Sequence, residues 1–222
     1  MASVTLSEFR ERARERADME NSRFISDAEL NRYINASVQE LYDLLISSRG
    51  ENYYISSSTF TTSTGTDTYA LPSGMLKLMG VDFVKDAYSA YTLKSFRWQE
   101  RNRYREPYYN NDSINLMYQI RGNNLVFMPV PSGSNQIKIW YIPAATLLTQ
   151  NTDSFDGING WEEYVVIDAA IKMRVKEESS IEELLLAKQE MKQRILQASS
   201  GRDSTEPARV VDSESNTFRR WW

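Results

Sequence analysis

The chain has 222 residues, 41% of them hydrophobic, and a formal net charge of -4, which suits one domain with appendages and a core of its own. It contains neither cysteine nor histidine. That excludes disulfides, thiolate metal sites, a cysteine nucleophile and any Ser-His-Asp chemistry, and the acidic balance argues against a dedicated nucleic-acid binder.

Catalysis would therefore rest on carboxylates, lysine or tyrosine. No cofactor and no metal is expected. No apolar run reaches the roughly 18 residues of a membrane span. Met1-Ala2-Ser3-Val4-Thr5 runs straight into charge and has no apolar signal-peptide core. The expectation is a protein made in a cytoplasm, or assembled into something there, with no membrane partner. Aromatic residues are plentiful, with 13 Tyr, 8 Phe and 5 Trp. Such rings suit interfaces, and they equally suit a tyrosine-rich β-sheet.

Thr5-Leu6-Ser7-Glu8 is a capping box, with Val4 and Phe9 placed as a hydrophobic staple around it. It predicts a helix to about Met19 with Leu6, Phe9, Ala13 and Ala17 on the apolar side. Arg10, Arg12, Arg14 and Arg16 alternate with Glu8, Glu11 and Glu15. They make either a phosphate-binding face or a solvated face of mixed charge pairs. Ser26-Asp27-Ala28-Glu29 repeats the capping device with Ile25 and Leu30 as staple. The second helix then runs to about Ser48, with Leu30, Tyr33, Ile34, Val38, Leu41, Leu44 and Leu45 on one face. Arg49-Gly50 stops it.

From about Glu51 the period changes. Tyr53–Thr62 reads as a strand, Ser63-Thr64-Gly65-Thr66 as a turn and Tyr69-Ala70-Leu71 as a short strand. Met75–Val84 is apolar and β-like, and Tyr91–Phe96 is placed to pair with it. Arg97, Arg101, Arg103 and Arg105 follow beside Trp98 and Tyr104. Arginine with aromatic rings grips nucleic-acid backbones, and it also marks protein–protein hot spots. A short amphipathic helix on the sheet is the plainer reading of the same residues. Pro107–Ser113 is a polar loop. Ile114–Ile120 and Leu125–Met128 flank Arg121-Gly122-Asn123-Asn124, whose Gly and Asn suit a hairpin. Gln136–Ile142 is the last expected strand, with Ile137, Ile139 and Tyr141 alternating with Lys138 and Trp140.

Thr146–Gly160 reads as a loop. Its Asp153, Asp156 and Asn159 lack EF-hand spacing and a closing glutamate. A helix then opens at Asn159 or Gly160, with Glu162 and Glu163 complementing its positive end. Trp161, Tyr164, Val165, Ile171 and Val175 form its stripe. Asp168 sits among them, either as a candidate acid or as an acceptor for a buried donor from another element. Ser180-Ile181-Glu182-Glu183 is a third capping box, opening a helix with Ile181, Leu184, Leu185, Met191 and Ile195 inward. The short connection implies an antiparallel helical hairpin. Residues 202–222 form a tail rich in Ser, Asp, Glu and Arg that cannot fold alone. It ends in Phe218-Arg219-Arg220-Trp221-Trp222, residue types enriched at binding hot spots.

The expected fold class is α+β. Residues 1–50 and 146–200 supply a four-helix core, 51–145 an inserted antiparallel β region, and 201–222 an extended C-terminal arm. Four stretches in this order resemble one family: Phe24-Ile25-Ser26-Asp27-Ala28-Glu29-Leu30-Asn31-Arg32-Tyr33-Ile34-Asn35; Tyr69-Ala70-Leu71-Pro72 with the apolar strand after it; Leu125-Val126-Phe127-Met128-Pro129-Val130-Pro131 leading to Ile137–Ile142; and Trp161-Glu162-Glu163-Tyr164-Val165-Val166-Ile167-Asp168-Ala169-Ala170. That family is the head-to-tail connector, or adaptor, proteins of tailed bacteriophages, including the tail accessory factor type. The resemblance implies a virion protein assembled in the host cytoplasm as a ring of about twelve subunits. The ring would dock on the portal through the arm residues Phe218, Arg219, Arg220, Trp221 and Trp222. Tail, nozzle or fibre proteins would bind below, and DNA would pass through the lumen without sequence specificity. Arg97, Trp98, Arg101, Arg103, Tyr104, Arg105 and Trp161 are then candidates for the subunit interface. Two other classes stay open: a carboxylate-dependent cell-wall hydrolase carried in the virion, which needs two carboxyls about 5–10 Å apart, and a small DNA-binding or regulatory module.

Overall fold

The structure is a computed structural model, and it describes residues 3–20, 24–50, 53–102, 116–158 and 160–199. In chain order the elements are β1 (Val4–Thr5), α1 (Leu6–Ala17), α2 (Asp27–Leu45), β2 (Ser56–Thr61), β3 (Thr68–Ala70), β4 (Met75–Val84), β5 (Ala90–Thr92), β6 (Lys94–Ser95), β7 (Met117–Arg121), β8 (Asn124–Met128), β9 (Gln136–Pro143), β10 (Ser154–Phe155), α3 (Glu163–Glu177) and α4 (Glu182–Ser199). They form an α+β fold. The described residues up to Arg49 and from Ser154 onward make one compact unit, and Gly50–Asp153 make a second.

The helical unit is built around α3. Nine of its fifteen residues are buried, from Tyr164 through Ile171 plus Met173, so it is enclosed on nearly every side. The single stripe expected for it is too narrow, and Val175 lies outside, 55% exposed. Small residues explain how its neighbours come so close: Ala13 and Ala17 of α1 and Ala169 and Ala170 of α3 are all buried. Local chemistry starts α1 where the sequence places it. Thr5 accepts from the Glu8 amide, and the Glu8 carboxylate accepts from the Thr5 amide at 2.8 Å. Those bonds hold the Glu8 carboxyl below the usual carboxylate range. Asp18 ends the helix in the left-handed region at φ 60°, a conformation Asp tolerates better than most residues.

In α2 only half of the expected box forms. The Ser26 hydroxyl accepts from the Glu29 amide, but the Glu29 carboxylate turns to Lys176 of α3 at 2.6 Å and to the Tyr33 hydroxyl at 2.8 Å. Interhelical charge pairing outcompetes the local cap. Leu45 is followed by a π-helical turn, Ile46–Gly50. The arginines of α1 are tied to the same neighbourhood: Arg10 and Arg14 reach Asp27 at 3.3 and 2.9 Å. Arg14 also donates to the Ile25 carbonyl. Two of the four arginines are thus paired, with a carboxylate of the next helix rather than with the glutamates of their own.

Two further starts differ from expectation. α3 begins at Glu163, because Glu162 folds back to accept from the Gly157 amide at 2.9 Å and is itself buried. A side chain at Gly157 would meet the Glu162 backbone nitrogen at 3.0 Å. α4 begins at Glu182, and the Leu185 amide donates to the Ile181 carbonyl. Ile181 thus occupies the cap position that Ser180 was expected to hold. Within α4, Leu184 and Ile195 are buried, while Leu185 is 39% and Leu186 63% exposed. A small ribbon, β1 against β10, pairs Val4 with Phe155 and Thr5 with Ser154. No strand was expected at β10.

The second unit is a β-sandwich. One sheet has the order β2-β9-β4-β5 and the other β3-β8-β7-β6. Val81, Phe83, Ile137 and Ile139 from the first meet Leu125 and Phe127 from the second in one core. Phe60, Tyr69 and Phe127 cluster with centroids 5.0–6.3 Å apart. The Tyr69 hydroxyl pins the turn before it, accepting from the Ser63 amide at 2.7 Å. The β7–β8 hairpin turns through Gly122-Asn123, where Gly122 has φ 59°. The region is not wholly antiparallel, since β6 runs parallel to β7. Tyr91 does pair with β4, but the chain leaves that sheet at Leu93 and Lys94 joins the other. On β9 the alternation shifts near its end: Ile142 is fully buried and Tyr141 only partly. Irregular register in β4 accompanies this. On the opposite face Trp140 donates to Asp82 at 2.6 Å under the Lys138 ammonium.

Phe127→Ala should destabilise the sandwich by about 3–5 kcal/mol, whereas Ile120→Ala on the exposed side of the same hairpin should change stability by about 0.5 kcal/mol or less. Urea unfolding followed by near-UV circular dichroism compares the two.

Candidate functional site

Asp168 points into the helical unit with 4% of its side chain exposed. A lone carboxylate there would be costly, and three helices supply its partners. Lys172, one turn on in α3, lies 2.6 Å from Oδ2. Lys188 of α4 lies 2.8 Å from Oδ1. Ser37 of α2, fully buried, has its hydroxyl 2.6 Å from Oδ2 and 2.8 Å from the Tyr33 carbonyl. Its one proton serves one of these acceptors at a time, while the oxygen accepts from Lys172 at 2.8 Å. Lys188 also binds Glu40 of α2 at 2.8 Å, and the Tyr164 hydroxyl donates to the same Glu40 oxygen at 2.6 Å. Two carboxylates thus face two ammonium groups, and the cluster is charge-balanced.

Burial by itself would raise the Asp168 carboxyl, but bonds from Lys172, Lys188 and Ser37 outweigh it and hold it below the usual carboxylate value. Burial likewise opposes the charge on Lys188, yet bonds to Asp168 and Glu40 push its ammonium above the usual lysine range. Burial and the bond to Glu40 raise the Tyr164 phenol. Such a carboxylate stays ionised and cannot serve as a general acid. Its role is to lock α2, α3 and α4 in register. Of the two readings open for Asp168, the structure gives the buried acceptor.

The arginine–tryptophan stretch lies on the sandwich. Arg97 precedes a 3-10 turn, Trp98–Glu100. Arg101 lies over the Trp98 ring at 5.0 Å and donates to the Trp98 carbonyl at 3.1 Å. Arg121, from the end of β7, lies over the same ring at 5.1 Å. Nothing in the local sequence joins Arg121 to Trp98. The parallel β6–β7 pairing does, by setting Lys94 beside Met117 and Ser95 beside Tyr118, so that Trp98 and Arg121 follow three residues after the paired positions. Arg103, Tyr104, Arg105, the loop Pro107–Ser113, Asn159 and Phe218–Trp222 lie outside the described residues. Trp161 is only 9% exposed. Its carbonyl accepts from the Tyr164 amide at 2.9 Å. Asp153 closes its own loop, accepting from the Thr149 and Gln150 amides. These bonds hold its carboxyl below the usual range. Among the described residues no group of three or more carboxylates could hold a metal ion, and no helix is long and apolar enough to cross a membrane.

A family model described as SU10 adaptor protein matches residues 4–211. The chain belongs to the SU10 adaptor protein family. The match runs through both units, so neither is an appendage foreign to the family. The SU10 adaptor chain is accordingly a structural adaptor of a phage particle. No curated protein matches it.

For this adaptor, Asp168→Asn should cost about 3–5 kcal/mol, because it takes the carboxylate from Lys172 and leaves Lys188 with Glu40 alone, whereas Asp168→Leu with Lys188→Met should recover part of that loss. Chemical denaturation of the parent and the two variants checks it. In acid, the Asp168 contribution is complete above the unfolded carboxyl's ordinary value and disappears as pH falls through the depressed native one. Stability measured from pH 6 downward should therefore fall less steeply in Asp168→Asn than in the parent.

Proposed function

We propose that the protein forms the head-to-tail adaptor ring of a tailed phage, seated between portal and tail. The observation that carries this reading is the adaptor-family match over residues 4–211. Physical features of the chain support it. The helical unit is cross-braced by the Asp168 cluster, as a part that bears load between two partners would need to be. Val175, Leu185 and Leu186 remain exposed on its last two helices, apolar surface of the kind that subunit packing covers. The net charge of -4 suits a lumen through which DNA passes without being held.

In this reading about twelve copies close the ring, a closed cyclic assembly of the usual kind. Residues 201–222 act as an arm, and Phe218, Arg219, Arg220, Trp221 and Trp222 anchor it on the portal. Tail, nozzle or fibre proteins bind the far side. Assembly takes place in the host cytoplasm.

Removing Phe218–Trp222 should leave a folded, soluble protein that no longer joins the portal. Circular dichroism reports the fold, and native mass spectrometry with purified portal reports binding. Normal portal binding by the truncated chain would refute the arm.

A further inference from the structure

Two guanidinium groups share the Trp98 ring, which is 37% exposed. The ring attracts each of them, while the two like charges repel weakly across water, and an anion docked nearby would relieve that repulsion. Among the described residues, none forms an ion pair with Arg97, Arg101 or Arg121. Within 94–102 and 116–128 the sequence holds Lys94, Arg97, Arg101 and Arg121 against a single carboxylate, Glu100. The edge is a cationic, aromatic surface awaiting an acidic partner. Stacking on the indole preorganises the arginines for bidentate contact with carboxylates.

The same chain carries a complementary surface. Residues 50–153 hold nine Lys and Arg against eight Asp and Glu, while the remainder holds seventeen against twenty-two. The excess acid gathers at the α3–α4 turn, where Glu177, Glu178, Glu182 and Glu183 are all exposed. The nearest cations are committed elsewhere: Arg174 to the Ala17 and Ser180 carbonyls, Lys176 to Glu29. Glu178 caps α3 in the left-handed conformation and turns the chain sharply, so the carboxylates bracket a tight bend.

We propose that the α3–α4 turn of one copy docks on the Trp98–Arg101–Arg121 edge of the next. Glu182 and Glu183 meet the guanidinium groups, and Trp98 provides the apolar floor. The contact is heterologous, using a different patch on each partner, and so repeats around a closed ring. It rests on the ring reading above and names the surfaces that would close it. Nucleic acid would also be drawn to the edge, but the exposed acidic turn on the same chain, where Glu177 accepts from the neutral Ser179 hydroxyl, favours a second copy.

The test uses full-length chains assembled on purified portal at about 0.1 M salt, where such charges are only partly screened. Ring yield is read by native mass spectrometry. Arg101→Glu with Arg121→Glu, and separately Glu182→Arg with Glu183→Arg, should each lower ring yield by about tenfold or more, since like charges then meet. Circular dichroism confirms that both fold. Mixing the two variants in equal amounts should restore rings, because alternating copies again present opposite charges at every contact. Reversals that leave ring yield unchanged, or a mixture that stays unassembled, would overturn the contact while leaving the ring reading intact. Loss of duplex DNA retention with rings unaffected would assign the edge to nucleic acid and likewise overturn it. Failure of the unmodified chain to form any ring would instead overturn the ring reading, and this contact with it.

Discussion

The helical unit depends on a carboxylate that could not be buried alone. Asp168 is tolerable only because α2 brings Ser37, α4 brings Lys188 and α3 supplies Lys172, each at 2.6–2.8 Å. The dependence runs both ways, since Lys188 and Lys172 are themselves partly buried and need the carboxylate. Hydrophobic burial can hold helices together in several registers of similar energy. A polar cluster with fixed distances selects one of them, and the stability that depends on it is lost if any partner moves. The surrounding core, from Leu6 and Phe9 through Ile34, Leu41 and Val165, supplies the bulk of the driving force.

The same division of labour recurs at the edges of the unit. Glu29 gives up its local cap to pair with Lys176, Arg14 reaches across to Asp27 and the Ile25 carbonyl, and Arg174 donates to the Ala17 carbonyl at the end of α1. Each bond links elements distant in sequence, so the charged surface orients the helices as well as solvating them. In the sandwich, aromatic packing has the corresponding part. Phe60, Tyr69 and Phe127 come from β2, β3 and β8 and join two sheets, with no buried charged residue in this unit among the described residues. A structural adaptor of a phage particle is well served by both devices, because each resists relative motion of the elements it joins.

Much of the architecture was legible because it rests on local rules. The Thr5–Glu8 box, the faces of α1 and α2, the Gly122 hairpin and the alternation of Ile137 and Ile139 all follow from periods and turn chemistry within a few residues. The α+β class followed from these. The misreadings share one cause, which is a partner from elsewhere in the chain. Helix periodicity gives α3 one apolar stripe, but α1, α2 and α4 enclose it on several sides. The Glu162 side chain, expected to face the helix dipole, is taken by the Gly157 amide. Trp161, placed on the same stripe as Tyr164 by the sequence, is buried with it, while Val175 at the far end of that stripe is not.

Sequence alone determined the four helices, the main strands and most of the hydrophobic faces, since capping, turns and periodicity act over a few residues. It also placed Asp168 on an apolar face and Trp98 among arginines. Tertiary structure alone decided what those residues do. Ser37 and Lys188 reach Asp168 only when three helices are docked, and Arg121 reaches Trp98 only because β6 lies parallel to β7. The reason is physical: the energy of a charge depends on the groups within a few ångströms, and for both residues the decisive groups lie elsewhere along the chain.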